Sequence, residues 1–218
     1  LGINTHCYRM ILINGFSKGL LFVFLSLGSF VMQRMENCLS TDILAGDAYC
    51  DQFTTLFTNL LCAYGTAAVV IVGQNASRGN YKLIRDYIGR FNRHSLVWCI
   101  LIGIISLAFA PLLIGSLAGN GASPEALAAG IFEMRIIVIS YPFLTALVIL
   151  RYALQTMGDY LAMPIFGFVE MSINIALAML IPKIGYIAVC LGLSLSRVGA
   201  GLAAILRYRR FMKEKIND

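Results

Sequence analysis

The segment LVWCILIGIISLAFAPLLIGSLA, residues Leu96–Ala118, contains 23 consecutive residues without a charged side chain. A helix needs about 20 mostly apolar residues to cross the hydrocarbon core of a bilayer, so this segment is long enough to span a membrane. It lacks the alternation of apolar and polar residues that is typical of a barrel strand. Because backbone groups in lipid must be hydrogen-bonded within the protein, we predict that the segment is a transmembrane helix.

The same apolar character extends along the whole chain of 218 residues, of which 59% are hydrophobic and only 13% are charged. A soluble protein of this size has more polar surface. The sequence predicts an all-α integral membrane protein with one domain, residues 1–218, made of six spans: Asn14–Gln33, Ile43–Val72, Ser95–Leu117, Ala128–Leu150, Tyr160–Ile181 and Gly185–Leu206. The first residue is Leu rather than Met, and we expect the chain to be part of a longer protein.

Basic residues are concentrated on one side of the predicted bundle. Lys and Arg in short loops stay in the cytoplasm, so their distribution predicts the orientation of the spans. One side holds Arg34 and Lys183, whereas the other holds Arg9, Arg78, Lys82, Arg85, Arg90, Arg93, Arg151, Arg207, Arg209, Arg210, Lys213 and Lys215. We therefore expect both chain ends, and a basic connector at residues 75–93, to be cytoplasmic.

The connector contains the stretch NYKLIRDYIGRF, in which apolar and basic residues are interspersed. Such a pattern is typical of a short helix that lies on an anionic leaflet. Binding of nucleic acid by this patch is not expected, because basic residues next to a span usually set its topology.

No sequence motif indicates an enzyme or a metal centre. The chain has no Walker loop, no G-x-S-x-G and no H-E-x-x-H. His6 and His94 are far apart, and the cysteines show no C-x-x-C spacing. We therefore expect no catalytic residue, no metal and no cofactor, and any transport would have to be driven by an ion gradient.

Polar residues inside two predicted spans are candidates for a binding site, because such residues are costly in lipid and usually line a cavity. Positions i, i+4, i+7 and i+11 of the second span share one helical face and are occupied by Asp47, Asp51, Thr54 and Thr58. The fifth span carries Glu170 and Asn174, again four residues apart.

The two aspartates one turn apart repel each other, so the pair is suited to hold an organic cation or a proton. Asp51 lies one turn deeper in the span than Asp47, and we expect it to matter more. Two structural alternatives stay open. Asp47 is simply hydrated at the edge of the span, or Glu170 is neutralised by a basic residue such as Arg197.

Three stretches of the chain resemble the multidrug and toxic compound extrusion (MATE) family. They are VGQNASRGNYKLIRDYIGR at residues 72–90, ISYPFLTALVILRYALQTMGD at residues 139–159 and MPIFGFVEMSINIAL at residues 163–177. Their order and spacing are similar to those of the C-terminal half of that family. There a Gly-Gln-Asn element ends the second helix, which here corresponds to a structural turn at Gly73, Gln74 and Asn75.

The resemblance implies one half of a twelve-helix efflux transporter of the cell membrane, which exchanges Na⁺ or H⁺ for cationic, amphiphilic organic compounds. Its implied partners are the lipid bilayer, small organic cations and an N-terminal six-helix half. Some members of the family carry an acidic residue midway along the first helix, whereas this chain has its first carboxylate at Glu36, at the outer edge of that span. Two alternatives remain open, namely a lipid-linked saccharide flippase of the same superfamily and a truncated fragment that cannot transport.

Overall fold

Helices account for all the regular structure between residues 5 and 217, which the computed structural model describes. They are α1 (Thr5–Glu36), α2 (Thr41–Ala76), α3 (Tyr81–Ala118), α4 (Pro124–Ile137), α5 (Tyr141–Thr156), α6 (Ala162–Ala178), α7 (Ile181–Ile184) and α8 (Tyr186–Asn217). The side chains of four residues in this range are outside the description, namely His6, Cys7, Asn120 and Asn217. The predictions for His6 and for the two chain ends therefore fall outside the described part.

The helices form a membrane-type bundle of six antiparallel passes, which are α1, α2, α3, α4 continued by α5, α6 and α8. Five of these passes are long and apolar enough to cross a membrane. The helix α6 has 17 residues, which corresponds to about 26 Å at 1.5 Å per residue and is somewhat less than the hydrocarbon thickness. The prediction of an all-α bundle with six membrane passes is confirmed.

The fourth pass is broken in a place that the sequence analysis assigned to a continuous span, Ala128–Leu150. The helix α4 ends at Ile137, a 3₁₀ turn covers Val138–Ser140, and α5 starts at Tyr141. Pro142 has no backbone N–H to donate to the carbonyl four residues earlier, and this accounts for the change of helix type.

Residues 75–93 do not form a separate surface helix, so this part of the prediction is wrong. The link between α2 and α3 consists only of residues 77–80, and Tyr81–Arg93 form the first turns of α3. Ile84 and Ile88 in this part are buried in the core, and their burial holds these turns in line with the rest of α3.

The Gly73-Gln74-Asn75 element lies in the last turn of α2, where the resemblance to the family placed the end of this helix. The side-chain amide of Asn75 donates to the carbonyl of Ile71 at 2.8 Å, as expected for a residue that satisfies carbonyls near a helix end. The chain reverses at Gly79, which has φ +70°. The backbone N–H of Asn80 donates to the carbonyl of Asn75, and that of Gly79 to the carbonyl of Ala76, which together form a Schellman motif.

The end of α5 has the same construction. Gly158 has φ +96°, its N–H donates to the carbonyl of Gln155, and the N–H of Asp159 donates to the carbonyl of Leu154. Two of the three stretches that resemble the family, residues 72–90 and 139–159, therefore end a helix with a glycine in the left-handed region, at the basic end of the bundle.

At the opposite end of the bundle, two serines cap helices. The hydroxyl of Ser40 accepts from the backbone N–H of Ile43 at 3.3 Å, and that of Ser123 accepts from the N–H of Ala126 at 3.1 Å. Ser123 also donates to the carboxylate of Asp42 at 2.7 Å. The N-termini of α2 and α4 are therefore linked to each other.

Candidate functional site

Four carboxyl groups line a single cavity of about 210 Å³ near the end of the bundle that is opposite the basic connections. They come from Glu36 at the end of α1, Asp47 and Asp51 on α2, and Glu133 on α4. Gln33 and Asn174 contribute amides to the same cavity. The bundle thus gathers acidic side chains from three helices at one cavity. We call it the acidic cavity.

A close contact between two glycines places α2 and α4 side by side at this level. A Cβ at Gly46 would lie 2.3 Å from the carbonyl oxygen of Ala126, and one at Gly130 would lie 2.7 Å from the carbonyl oxygen of Gly46. Only glycine allows the two backbones to approach so closely. Asp47 follows Gly46 directly and Glu133 follows Gly130 by one turn, so the contact brings both carboxyls to the same cavity.

Glu133 is the most buried of the four, with 3% of its surface exposed. It accepts a hydrogen bond from the hydroxyl of Tyr186 at 2.9 Å, and its carboxyl interacts electrostatically with those of Asp47 and Asp51. The sequence analysis did not select Glu133. The sequence did contain a signal for it, because Glu133 lies inside the predicted span Ala128–Leu150, where a charged side chain is costly.

The structure brings three of the predicted site residues together at the acidic cavity, namely Asp47, Asp51 and Asn174. Asp47 is half-buried, whereas Asp51 is exposed. The position of Asp51 one turn deeper in the span therefore does not make it more buried than Asp47. The alternative for Asp47 was hydration at the edge of the span; the structure places its carboxyl beside that of Glu133 at the acidic cavity.

Two other predicted residues of α2 are not lining residues of the acidic cavity. Thr54 is buried, with its hydroxyl 3.7 Å from the sulfur of Cys50. Thr58 accepts a hydrogen bond from the guanidinium of Arg197 at 3.5 Å. The four residues do follow one helical stripe, but α2 packs along its length against different neighbours, so the stripe passes from the cavity into the core.

Glu170 is paired with a basic residue, as one of the two structural alternatives expected. The partner is Arg151, and the example named in the sequence analysis, Arg197, was wrong. The carboxylate of Glu170 forms an ion pair with the guanidinium of Arg151 on α5. The helices α5 and α6 are antiparallel and joined by a short turn, so positions at similar distances from that turn lie at the same depth. This pairing separates Glu170 from the acidic cavity.

The acidic cavity is a chamber lined by four carboxyl groups. Among the described residues, no group of three His, Cys, Asp or Glu side chains is arranged to hold a metal ion. A cluster of carboxylates at low dielectric attracts cations strongly and also exchanges protons. The lining is therefore suited to bind protons and cations.

Comparisons with known proteins agree with this architecture. A crystal structure of a MATE protein in complex with MaD3S matches with a TM-score of 0.81 at 16% identity, over 90% of this chain and 44% of the solved one. A transporter of the MOP superfamily from Pyrococcus furiosus, whose binding pocket is described as having reverse polarity, matches with a TM-score of 0.77, also at 16% identity, over 90% of this chain and 43% of that one. At these identities the likeness concerns the fold.

A third structure, the outward-facing conformation of a multidrug resistance MATE family transporter of the MOP superfamily, gives a TM-score of 0.68 at 16% identity, over 90% of this chain and 44% of that one. The chain thus spans less than half the length of these transporters. A comparison with curated proteins finds no significant match. The MatE family model, however, matches residues 19–180, which is most of the bundle and includes the four carboxyls of the acidic cavity, and the chain therefore belongs to the MatE family of membrane transporters.

Proposed function

We propose that this chain is the C-terminal lobe of a cell-membrane antiporter that exports cationic, amphiphilic organic compounds in exchange for Na⁺ or H⁺. The other lobe, of six helices, would close the central cavity from the opposite side. In this proposal the acidic cavity binds the coupling ion or the cationic group of the substrate. No cofactor takes part, because the ion gradient supplies the energy.

The observation that supports the proposal is the gathering of four carboxyls from α1, α2 and α4 around one cavity inside a membrane bundle. Charged groups in such a position are costly unless they serve an ion or substrate pathway. Proton and cation binding also compete naturally at one carboxylate cluster, because both neutralise the same charge. That competition is the basis of an exchange mechanism.

The polarity of the acidic cavity also favours an organic cation over the alternative substrate, a lipid-linked saccharide. A flippase for such a lipid has to bind a pyrophosphate and needs basic groups in its cavity. Here the intramembrane Arg151 is paired with Glu170, and Arg197 donates a hydrogen bond to the hydroxyl of Thr58. The lining of the acidic cavity itself contains no Lys or Arg among the described residues.

The test is the binding of ethidium, a cationic dye, to the purified 218-residue chain in detergent, followed by fluorescence anisotropy. Replacing Asp47 or Asp51 by Asn removes a negative charge while keeping the size of the side chain. Loss of one charge-assisted contact is worth about 1.5 kcal/mol, so we expect roughly tenfold weaker binding for each variant. Raising the proton or Na⁺ concentration should weaken binding to the wild type in the same way.

The matched control is Asp86→Asn, which removes an exposed carboxylate of α3 at the basic end and should leave ethidium binding unchanged. Pyrophosphate serves as the competitor for the flippase alternative and should not displace the dye. Equal affinities in the wild type, Asp47→Asn and Asp51→Asn would contradict the assignment of the acidic cavity.

A further inference from the structure

A second cavity, of about 440 Å³, lies between α3, α5 and α8 at the basic end of the bundle. Its volume falls within the range of ligand pockets. It is separate from the acidic cavity, with which it shares no lining residue. We call it the basic-end cavity.

The mouth of the basic-end cavity carries two arginines, Arg85 on α3 and Arg209 on α8. Both are exposed. A smaller adjoining cavity of about 280 Å³ shares both arginines and adds Lys213. Asp86 follows Arg85 in the sequence and Glu214 follows Lys213. Neither of these acidic residues lines the basic-end cavity or the smaller adjoining cavity. The mouth therefore has a net positive charge.

Neither arginine at the mouth is neutralised within the part of the chain that the structure describes. The ion pairs found between residues 5 and 217 are Arg151 with Glu170 and Arg207 with Asp159. The hydroxyl of Tyr208, which also lines the cavity, is buried and has no hydrogen-bond partner in that range. A buried hydroxyl without a partner costs free energy. An anionic ligand at the mouth would accept hydrogen bonds from the Tyr208 hydroxyl and from the two guanidinium groups.

Behind the mouth, the lining becomes apolar. Leu96 and Cys99 on α3, Leu150 on α5 and Ile205 on α8 form the inner wall. The lining positions on α3 run from Arg85 to Cys99, which is about 21 Å along the axis at 1.5 Å per residue. That distance exceeds half the thickness of the hydrocarbon core, which is about 15 Å.

We propose that the basic-end cavity binds an anionic phospholipid, with its phosphate between Arg85 and Arg209 and one acyl chain along the inner wall. A basic pocket between transmembrane helices, at the level of the headgroups, is the arrangement expected for such a lipid. The site is distinct from the proposed transport route, because two uncompensated arginines repel an organic cation. The bound lipid would connect α3 to α8, the helices that carry the two arginines.

The experiment is native mass spectrometry of the purified chain after incubation with palmitoyl-oleoyl phosphatidylglycerol or the corresponding phosphatidylcholine. We expect one tightly retained phosphatidylglycerol and weaker retention of the zwitterionic lipid. A basic residue near a lipid surface contributes about 1 kcal/mol, so the double variant Arg85→Gln/Arg209→Gln should bind phosphatidylglycerol roughly 30-fold more weakly. The matched control, Arg78→Gln/Arg90→Gln, removes the same charge from exposed positions outside this cavity and should bind as the wild type does.

A second pair of variants tests the acyl-chain part without changing charge. Gly89 lines the basic-end cavity, and a Cβ there meets nothing within 4 Å, so Gly89→Phe should fill the cavity and abolish retention of the lipid. Gly115→Phe, on the same helix and equally unobstructed at its Cβ, should not. Equal retention of the two lipids by the wild type would overturn the proposal. Unchanged binding of phosphatidylglycerol by Arg85→Gln/Arg209→Gln and by Gly89→Phe would also overturn it. Displacement of the lipid by millimolar inorganic phosphate would also overturn it, because it would indicate a phosphate site.

Discussion

At the scale of single residues, the ion pair between Arg151 and Glu170 holds two charges inside the bundle. The side chains are 10% and 13% exposed, so neither charge is well hydrated. Breaking a buried pair by removing one partner leaves the other charge uncompensated, which is far more costly than replacing both partners by apolar groups.

We therefore predict that Glu170→Gln lowers the free energy of unfolding by about 3–5 kcal/mol. The double variant Arg151→Met/Glu170→Leu should lose much less, because it leaves no charge without a partner. Thermal unfolding of the purified variants in detergent measures both effects. If the double variant is as unstable as the single one, the two side chains are not coupled in this way.

At the scale of helices, the acidic cavity depends on the contact of α2 with α4. A methyl group at Gly46 would overlap backbone atoms of α4, which are held in place by a helix and cannot move aside as a flexible side chain can. The two helices would have to separate, and Asp47 and Glu133 would separate with them.

Gly46→Ala should accordingly destabilise the bundle by at least about 2 kcal/mol, as expected for overpacking against a rigid neighbour, and should weaken ethidium binding. The matched control is Gly19→Ala on α1, where a Cβ meets nothing within 4 Å and where a gain in helix propensity is expected instead. Thermal unfolding and the folded yield in size-exclusion chromatography measure the difference. Equal behaviour of the two variants would show that the close approach is not required.

At the scale of the whole molecule, the distribution of basic residues predicts which end of the bundle lies in the cytoplasm. A natural reporter is Cys38, an exposed thiol in the connection between α1 and α2, at the end with few basic residues. The link between α2 and α3, at the opposite end, contains the exposed Arg78.

In sealed cells, a membrane-impermeant maleimide should label Cys38 but not a cysteine introduced by Arg78→Cys, each tested with all other cysteines replaced by alanine. Permeabilising the cells should make both positions reactive, which serves as the control for accessibility. The reverse labelling pattern would show that the basic end is external.

The sequence by itself determined the class of fold, the number of passes and the ends of several helices. These properties depend on local chemistry, such as the apolar length of a segment, a serine that accepts from the first N–H groups and a glycine that permits a positive φ at Gly79. For the same reason, the resemblance carried by residues 72–90 and 139–159 could be recognised without any structure.

Only the tertiary structure decided which polar residues act together. Asp47 and Glu133 are 86 positions apart in sequence, and their common cavity results from the approach of Gly46 to Gly130. Helical periodicity placed Thr54 on the same stripe as Asp47, but it carries no information on the neighbouring helix that covers each position. Contacts between helices depend on the fit of whole surfaces, which the periodicity of one helix does not encode.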